Sequence, residues 1–152
     1  MRLTDYLDDD LILGDIAAVT KDAVIETMTG RLADTGLVTD SAGFVAAVHR
    51  REAEGTTGIG DGVAIPHGKT DAIKRPAVAF ARVPEGVDWE SLDGEPVRLV
   101  FLIGVPEAAA GDEHLRLLAL LSRRLIDPDF RAELLTAATR ERLHDLFSRI
   151  GG

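Results

Sequence analysis

Apolar positions along the chain recur with two different periods. Val24, Ile25, Met28 and Leu32 share one face of a helix, which Thr20 caps and which runs to about Asp34 with Gly36 as its stop. Asp40 opens a second helix, to about Glu54, on a stripe of Phe44, Val45 and Val48. His114, Leu117, Leu118, Leu121 and Leu125 line a third, capped at Asp112 and ending near Ile126; Pro128–Ala137 and Arg140–Arg149 close the chain. The stretches between them read as strands. Leu11–Ile16 suits an edge strand, Val63–Ile65 a short buried one, and Ala77–Val83 a strand broken by Pro84-Glu85-Gly86. Val97–Val105 is almost unbroken apolar sequence with one arginine, the pattern of a central strand. Leu92-Asp93-Gly94-Glu95-Pro96 marks a turn, and Pro106–Gly111 a small-residue loop. Helices alternating with strands predict an α/β fold, a single domain over residues 1–152 with one sheet covered on both faces.

Composition narrows the function. Hydrophobic residues at 45% and charged residues at 28% fit a globular domain of 152 residues, long enough to bury a substantial core. The net charge of −9, with no basic patch, argues against a nucleic-acid partner and suits a basic protein or a high-salt interior. Lysine occurs only at positions 21, 69 and 74, so the cations are nearly all arginine. The absence of cysteine removes disulfides, thiol nucleophiles and thiolate metal sites. The first ten residues carry acids where a signal peptide needs an apolar stretch, and no apolar run approaches membrane-spanning length. The expectation is a cytoplasmic domain.

Chemistry concentrates in Gly58-Ile59-Gly60-Asp61-Gly62-Val63-Ala64-Ile65-Pro66-His67, followed by Gly68. Alternating glycines permit positive φ and leave room for another molecule's surface. Pro66 is expected to end the strand ladder and aim His67, the side chain that titrates nearest neutrality, with Gly68–Asp71 as a loop beyond it. Seven positions after Phe44, Arg51 returns to the apolar face of its helix, whereas Arg50 does not. Arg51 either snorkels there or forms an anion clamp beside the glycine stretch. His114, in the first turn of its helix, points inward where the dipole disfavours an imidazolium. His49 and His144 fit surface positions.

Four chemistries compete. The G-x-G-x-G spacing is not the dinucleotide fingerprint, precedes a strand, and lacks a Walker lysine. A zinc site on His67 and His114 needs a third ligand from Asp61, Asp71, Asp112 or Glu113, and no H-E-x-x-H spacing is present. A serine or threonine triad has no G-x-S-x-G elbow, and Thr56 and Thr57 read as loop hydroxyls. A nucleophilic histidine remains: His67 accepting a phosphoryl group, with Arg51, glycine-loop amides and His114 to stabilise and orient it.

Taken together, the stretch from Arg51-Glu52 through Thr57-Gly58-Ile59-Gly60-Asp61-Gly62-Val63-Ala64-Ile65-Pro66-His67-Gly68 resembles the enzyme IIA domain of the mannitol/fructose class of the sugar phosphotransferase system. Ala77–Arg82, Gly86–Trp89, Leu92–Val97, Val105–Glu107 and Gly111–Leu115 extend the resemblance over essentially the whole chain, most like the fructose type. The resemblance implies a mixed central sheet with helices on both sides. It implies phosphorylation of His67 on Nε2 by the phosphohistidine of the small carrier HPr, with onward transfer to a cysteine of enzyme IIB serving a membrane permease. His114 would be the supporting histidine and Arg51 the basic residue, with no metal or cofactor required. A regulatory domain of the same fold, whose His67 phosphorylation controls a bound partner, shares these residues.

Overall fold

The computed structural model describes residues 1–109 and 112–151. Its strands are β1 (Ile12–Asp15), β2 (Gly58–Gly60), β3 (Val63–Ala64), β4 (His67–Lys69), β5 (Ala77–Val87) and β6 (Val97–Val105). Its helices are α1 (Lys21–Asp34), α2 (Ser41–Ala53), α3 (Asp112–Leu125), α4 (Pro128–Thr136) and α5 (Arg140–Ser148). They form the mixed sheet expected, in the order β1-β5-β6-β3-β2, with β4 also paired to β6. β1 lies parallel to β5 and antiparallel pairing joins β5 to β6, while β3 and β4 both run parallel to β6.

Caps fall where the sequence puts them. The Thr20 side chain accepts from the Ala23 N–H and Asp40 from the Gly43 N–H, so both helices start on a satisfied donor. The cap expected of Asp112 lies outside the described side chains, as do two residues of the loop that precedes it.

Side-chain alternation along the sheet builds two half-cores. On one face Val78, Phe80, Leu99, Phe101 and Ile103 pack against α3, α4 and α5; ring centroids of Phe80, Phe101 and Phe147 lie 5.0–5.9 Å apart. On the other, small residues Ala77, Ala79 and Ala81 let α1 and α2 approach closely. Gly104 belongs to this second face: a Cβ there would stand 2.6 Å from Ile73 Cδ1 and 2.7 Å from Phe44 Cε1.

Two prolines are absorbed rather than obeyed. Pro66 does not end the ladder, because its carbonyl accepts from the Ile103 N–H and pairing to β6 resumes at His67, leaving Gly68 and Lys69 in a strand instead of a loop. Pro84 does not end β5 either. The strand continues to Val87 through a bulge, with the register shifting between Arg82 and Val87, so the missing N–H falls where no ladder bond is made.

Candidate functional site

His67 takes its place from the central strand. It stands opposite Ile103, whose side chain faces α3, so the imidazole projects toward that helix. Gly68 faces the other way onto α2, where a Cβ would approach Val48 Cγ2 to 3.1 Å; the bare backbone keeps the end of α2 close. The residue is buried, at 7% exposure. Its Nδ1–H donates to the Ile65 carbonyl at 3.0 Å, which fixes the tautomer and leaves the lone pair on Nε2.

His114 and Arg51 arrive from opposite layers. His114, in the first turn of α3, places its ring centroid 4.5 Å from that of His67, the planes inclined at 51°. Its Nε2 is buried with no hydrogen-bond partner, an unmet polar group aimed into the site. Arg51, from the last turn of α2, folds back so that Nη1 donates to Gly55 O at 2.9 Å. All three residues line one cleft of about 280 Å³, together with Ala47, Arg50, Glu54 and Lys69.

Burial and positive neighbours keep both rings neutral. Desolvation holds His67 below the ordinary imidazole range, assisted by Arg51; the Ile65 carbonyl, Glu52 and Glu54 oppose it. Desolvation, with His67, Lys69 and Arg51 nearby, lowers His114 further, to about 4. At neutral pH the cleft therefore presents one nucleophilic nitrogen, one neutral imidazole able to donate a hydrogen bond, and permanent cations.

Several expectations are corrected. The glycine stretch does not line the cleft. It folds into a hairpin whose tip, Asp61 (φ 57°) and Gly62 (φ 78°), forms the primed turn that joins β2 to β3. The Asp61 N–H donates to Asp93 at 2.9 Å and its carboxylate lies 3.9 Å from Arg131, so the amide at the hairpin tip is committed elsewhere. Thr57 lies in the loop between α2 and β2 as expected, but its hydroxyl is buried and engaged. At 4% exposure it donates to Glu52 and accepts from Trp89 Nε1 at 3.0 Å, and its N–H reaches the same carboxylate at 3.3 Å. Lys21 pairs with Glu52 at 2.6 Å and lies 5.4 Å from the Trp89 ring centroid, so this network clamps the end of α2 that carries Arg51. Of the metal candidates, Glu113 accepts from the Tyr6 hydroxyl at 3.0 Å, and Asp61 and Asp71 do not line the cleft. Among the described residues no group of three His, Asp or Glu is arranged to hold a metal ion.

The reading from sequence missed Lys69, Arg50 and Glu54. Lys69 was hidden by reading Gly68–Asp71 as a loop; once β4 is a strand, two positions along it restore the face of His67. A larger groove of about 520 Å³ between α1 and α2 contains His49 but neither His67 nor His114, so chemistry rather than size selects the smaller cleft.

Residues 5–150 match the model of the phosphoenolpyruvate-dependent sugar phosphotransferase system EIIA 2 family. The chain is 43% identical over 131 residues to the PTS system fructose-specific EIIA component of Haloferax volcanii, covering 86% of this chain and 84% of that protein. Longer EIIABC relatives also match, and of these the chain spans 23% of the length. Its fold superposes on the nitrogen regulatory protein IIA-Ntr from Neisseria meningitidis with a TM-score of 0.86 at 32% identity, covering 94% and 97% of the two chains. It also resembles enzyme IIA of mannitol in its complex with phosphorylated enzyme IIB from Escherichia coli, at a TM-score of 0.77 and 26% identity over 91% and 94% of the chains.

Proposed function

The chain belongs to the phosphoenolpyruvate-dependent sugar phosphotransferase system EIIA 2 family, and from that premise we propose that it is a cytoplasmic phosphocarrier that accepts a phosphoryl group on His67 Nε2 and passes it on. The observation that carries this reading is the Nδ1–H bond to Ile65 O, which leaves Nε2 as a free nucleophile in a cleft held by cations. In the transfer, the Nε2 lone pair attacks phosphorus in line as the donor's P–N bond breaks, and that electron pair returns to the donor ring. The Nδ1 proton stays in place, and the Ile65 carbonyl stabilises the phosphoimidazolium that forms. Arg51 offsets phosphoryl charge without titrating, and neutral His114 donates to a phosphoryl oxygen. No step is routed through a metal or cofactor.

The donor in this reading is phospho-HPr. The acceptor is an enzyme IIB cysteine, supported by the IIA–IIB complex of the mannitol relative. Similarity to the Haloferax protein favours fructose-type sugar uptake. The close superposition on the Neisseria nitrogen regulatory protein supports a second reading, in which the phosphorylation state of His67 controls a bound partner.

Incubation with phosphoenolpyruvate, enzyme I and HPr, followed by intact mass, tests the shared chemistry. One acid-labile phosphate on the wild type and none on His67→Ala is expected. No phosphate on the wild type, with HPr demonstrably charged, refutes the proposal. Restoration of fructose uptake in a strain lacking its own EIIA separates transport from regulation.

A further inference from the structure

The cleft around His67 has a charge unlike that of the rest of the chain. The protein carries −9 overall, yet the cleft is lined by Arg50, Arg51 and Lys69 against one carboxylate, Glu54, a local balance of +2. Among the described residues none of these three cations has a carboxylate within 4.0 Å, although acids outnumber bases 26 to 17 and Lys21 is paired. Arg50 and Lys69 are exposed, so solvent screens their repulsion, but three like charges gathered around one cleft leave a site whose charge an anion completes. Glu52, the other acid near His67, is already committed to Lys21 and Thr57.

The chain places two of these cations by simple rules. Lys69 lies on β4 two residues beyond His67, so both side chains leave the same face of the strand, about 6.6 Å apart at two strand rises. Arg50 sits in the last turn of α2, on the solvent side of Arg51, where a cation also complements the helix carbonyl end. Arg51 is partly engaged by Gly55 O, which leaves the other two as the uncommitted donors at the mouth.

Resting on the phosphocarrier reading above, we infer that Lys69 and Arg50 bind the phosphoryl group at His67, so that the cleft is a three-cation cradle whose net +2 matches a phosphoryl dianion. A phosphoryl group carries about −1.5 to −2 at neutral pH, which the Arg51 guanidinium alone leaves half unbalanced. Lys69 acts as a point charge and tolerates arginine; Arg50 acts from the rim and screens the bond from the acidic surface.

The test uses inorganic phosphate as probe, with His67 and His114 ring resonances followed by NMR in the full-length protein. Wild type, Lys69→Gln, Arg50→Gln and Lys69→Arg are compared, each checked for native fold by circular dichroism. Each glutamine variant is expected to weaken phosphate binding about 3–5-fold and to flatten its salt dependence, whereas Lys69→Arg stays within about twofold of wild type. The half-life of enzymatically formed phospho-His67 is expected to shorten in the same order. Unchanged phosphate affinity and half-life in both glutamine variants overturns the cradle, while covalent labelling of the wild type would leave the carrier reading standing. Charge-dependent phosphate binding without any covalent label would support the cradle and refute the carrier reading. An intact fold with Lys69→Arg as weak as Lys69→Gln overturns the assignment of Lys69 as a charge.

Discussion

Acidification should penalise the folded protein through His114, and the sign and size follow from its surroundings. Its proton affinity is displaced from the ordinary 6.5 to about 4, first by burial and then by His67, Lys69 and Arg51. A group whose folded pKa is depressed binds a proton in the unfolded chain before it does so in the fold. Above 6.5 both states are neutral and nothing is lost. Between 6.5 and 4 the unfolded chain takes up the proton alone and folding stability falls with pH; below 4 the loss is complete. At about 1.4 kcal/mol per pH unit the span would come to about 3 kcal/mol in a sealed site, and because His114 borders an open cleft, solvent screening reduces this to about 1–2 kcal/mol. Urea unfolding of wild type and His114→Gln at pH 7.5 and pH 4.5 isolates the term, since carboxylate titration is common to both proteins. The wild type is expected to lose about 1–2 kcal/mol more than the variant over that interval, and the His114 ring proton to titrate well below the free imidazole. Titration near 6.5, or equal acid losses in the two proteins, would refute the argument that the cleft keeps this ring neutral.

Other outcomes follow from the packing. Gly104→Ala forces a methyl against Phe44 and Ile73 and is expected to cost about 1–3 kcal/mol in urea unfolding, while slowing His67 phosphorylation because α2 must lift from the sheet. Thr57→Val strands the Trp89 indole N–H and one Glu52 oxygen; a loss of about 1–3 kcal/mol is expected, with blue-shifted or broadened tryptophan emission reporting the broken contact. A silent result in either case would mean that the end of α2 is not held as described.

The layered architecture was legible because its signals are local. Thr20 and Asp40 cap their helices, the apolar stripes of α1 and α3 face the sheet, and Val97–Val105 forms the central strand, all as periodicity and capping chemistry require. The prolines misled because a missing N–H matters only where the ladder needs one, and that depends on the partner strand. Pro66 keeps its place through its carbonyl, and Pro84 sits inside a bulge. His67, His114 and Arg51 were identified from spacing together with family resemblance, and the fold brings them to one cleft. The roles of Thr57 and Glu52 were not legible, because their partners Trp89 and Lys21 lie more than thirty residues away in sequence. The glycine hairpin misled differently: its pattern serves a tight turn and close packing against Ser91 and Asp93 rather than an amide cradle.

Because β4 lies between the two half-cores, the cleft resembles a vise with one jaw on each layer. Arg51 rides on the α1/α2 side and His114 on the α3–α5 side, while His67 is bolted to the strand between them. The gap is set from behind, by how closely alanines and Gly104 let one layer seat and by how the phenylalanine cluster seats the other. Conservative exchanges deep in either half-core, far from any partner's reach, would therefore retune the spacing of the cleft while leaving every residue that lines it unchanged.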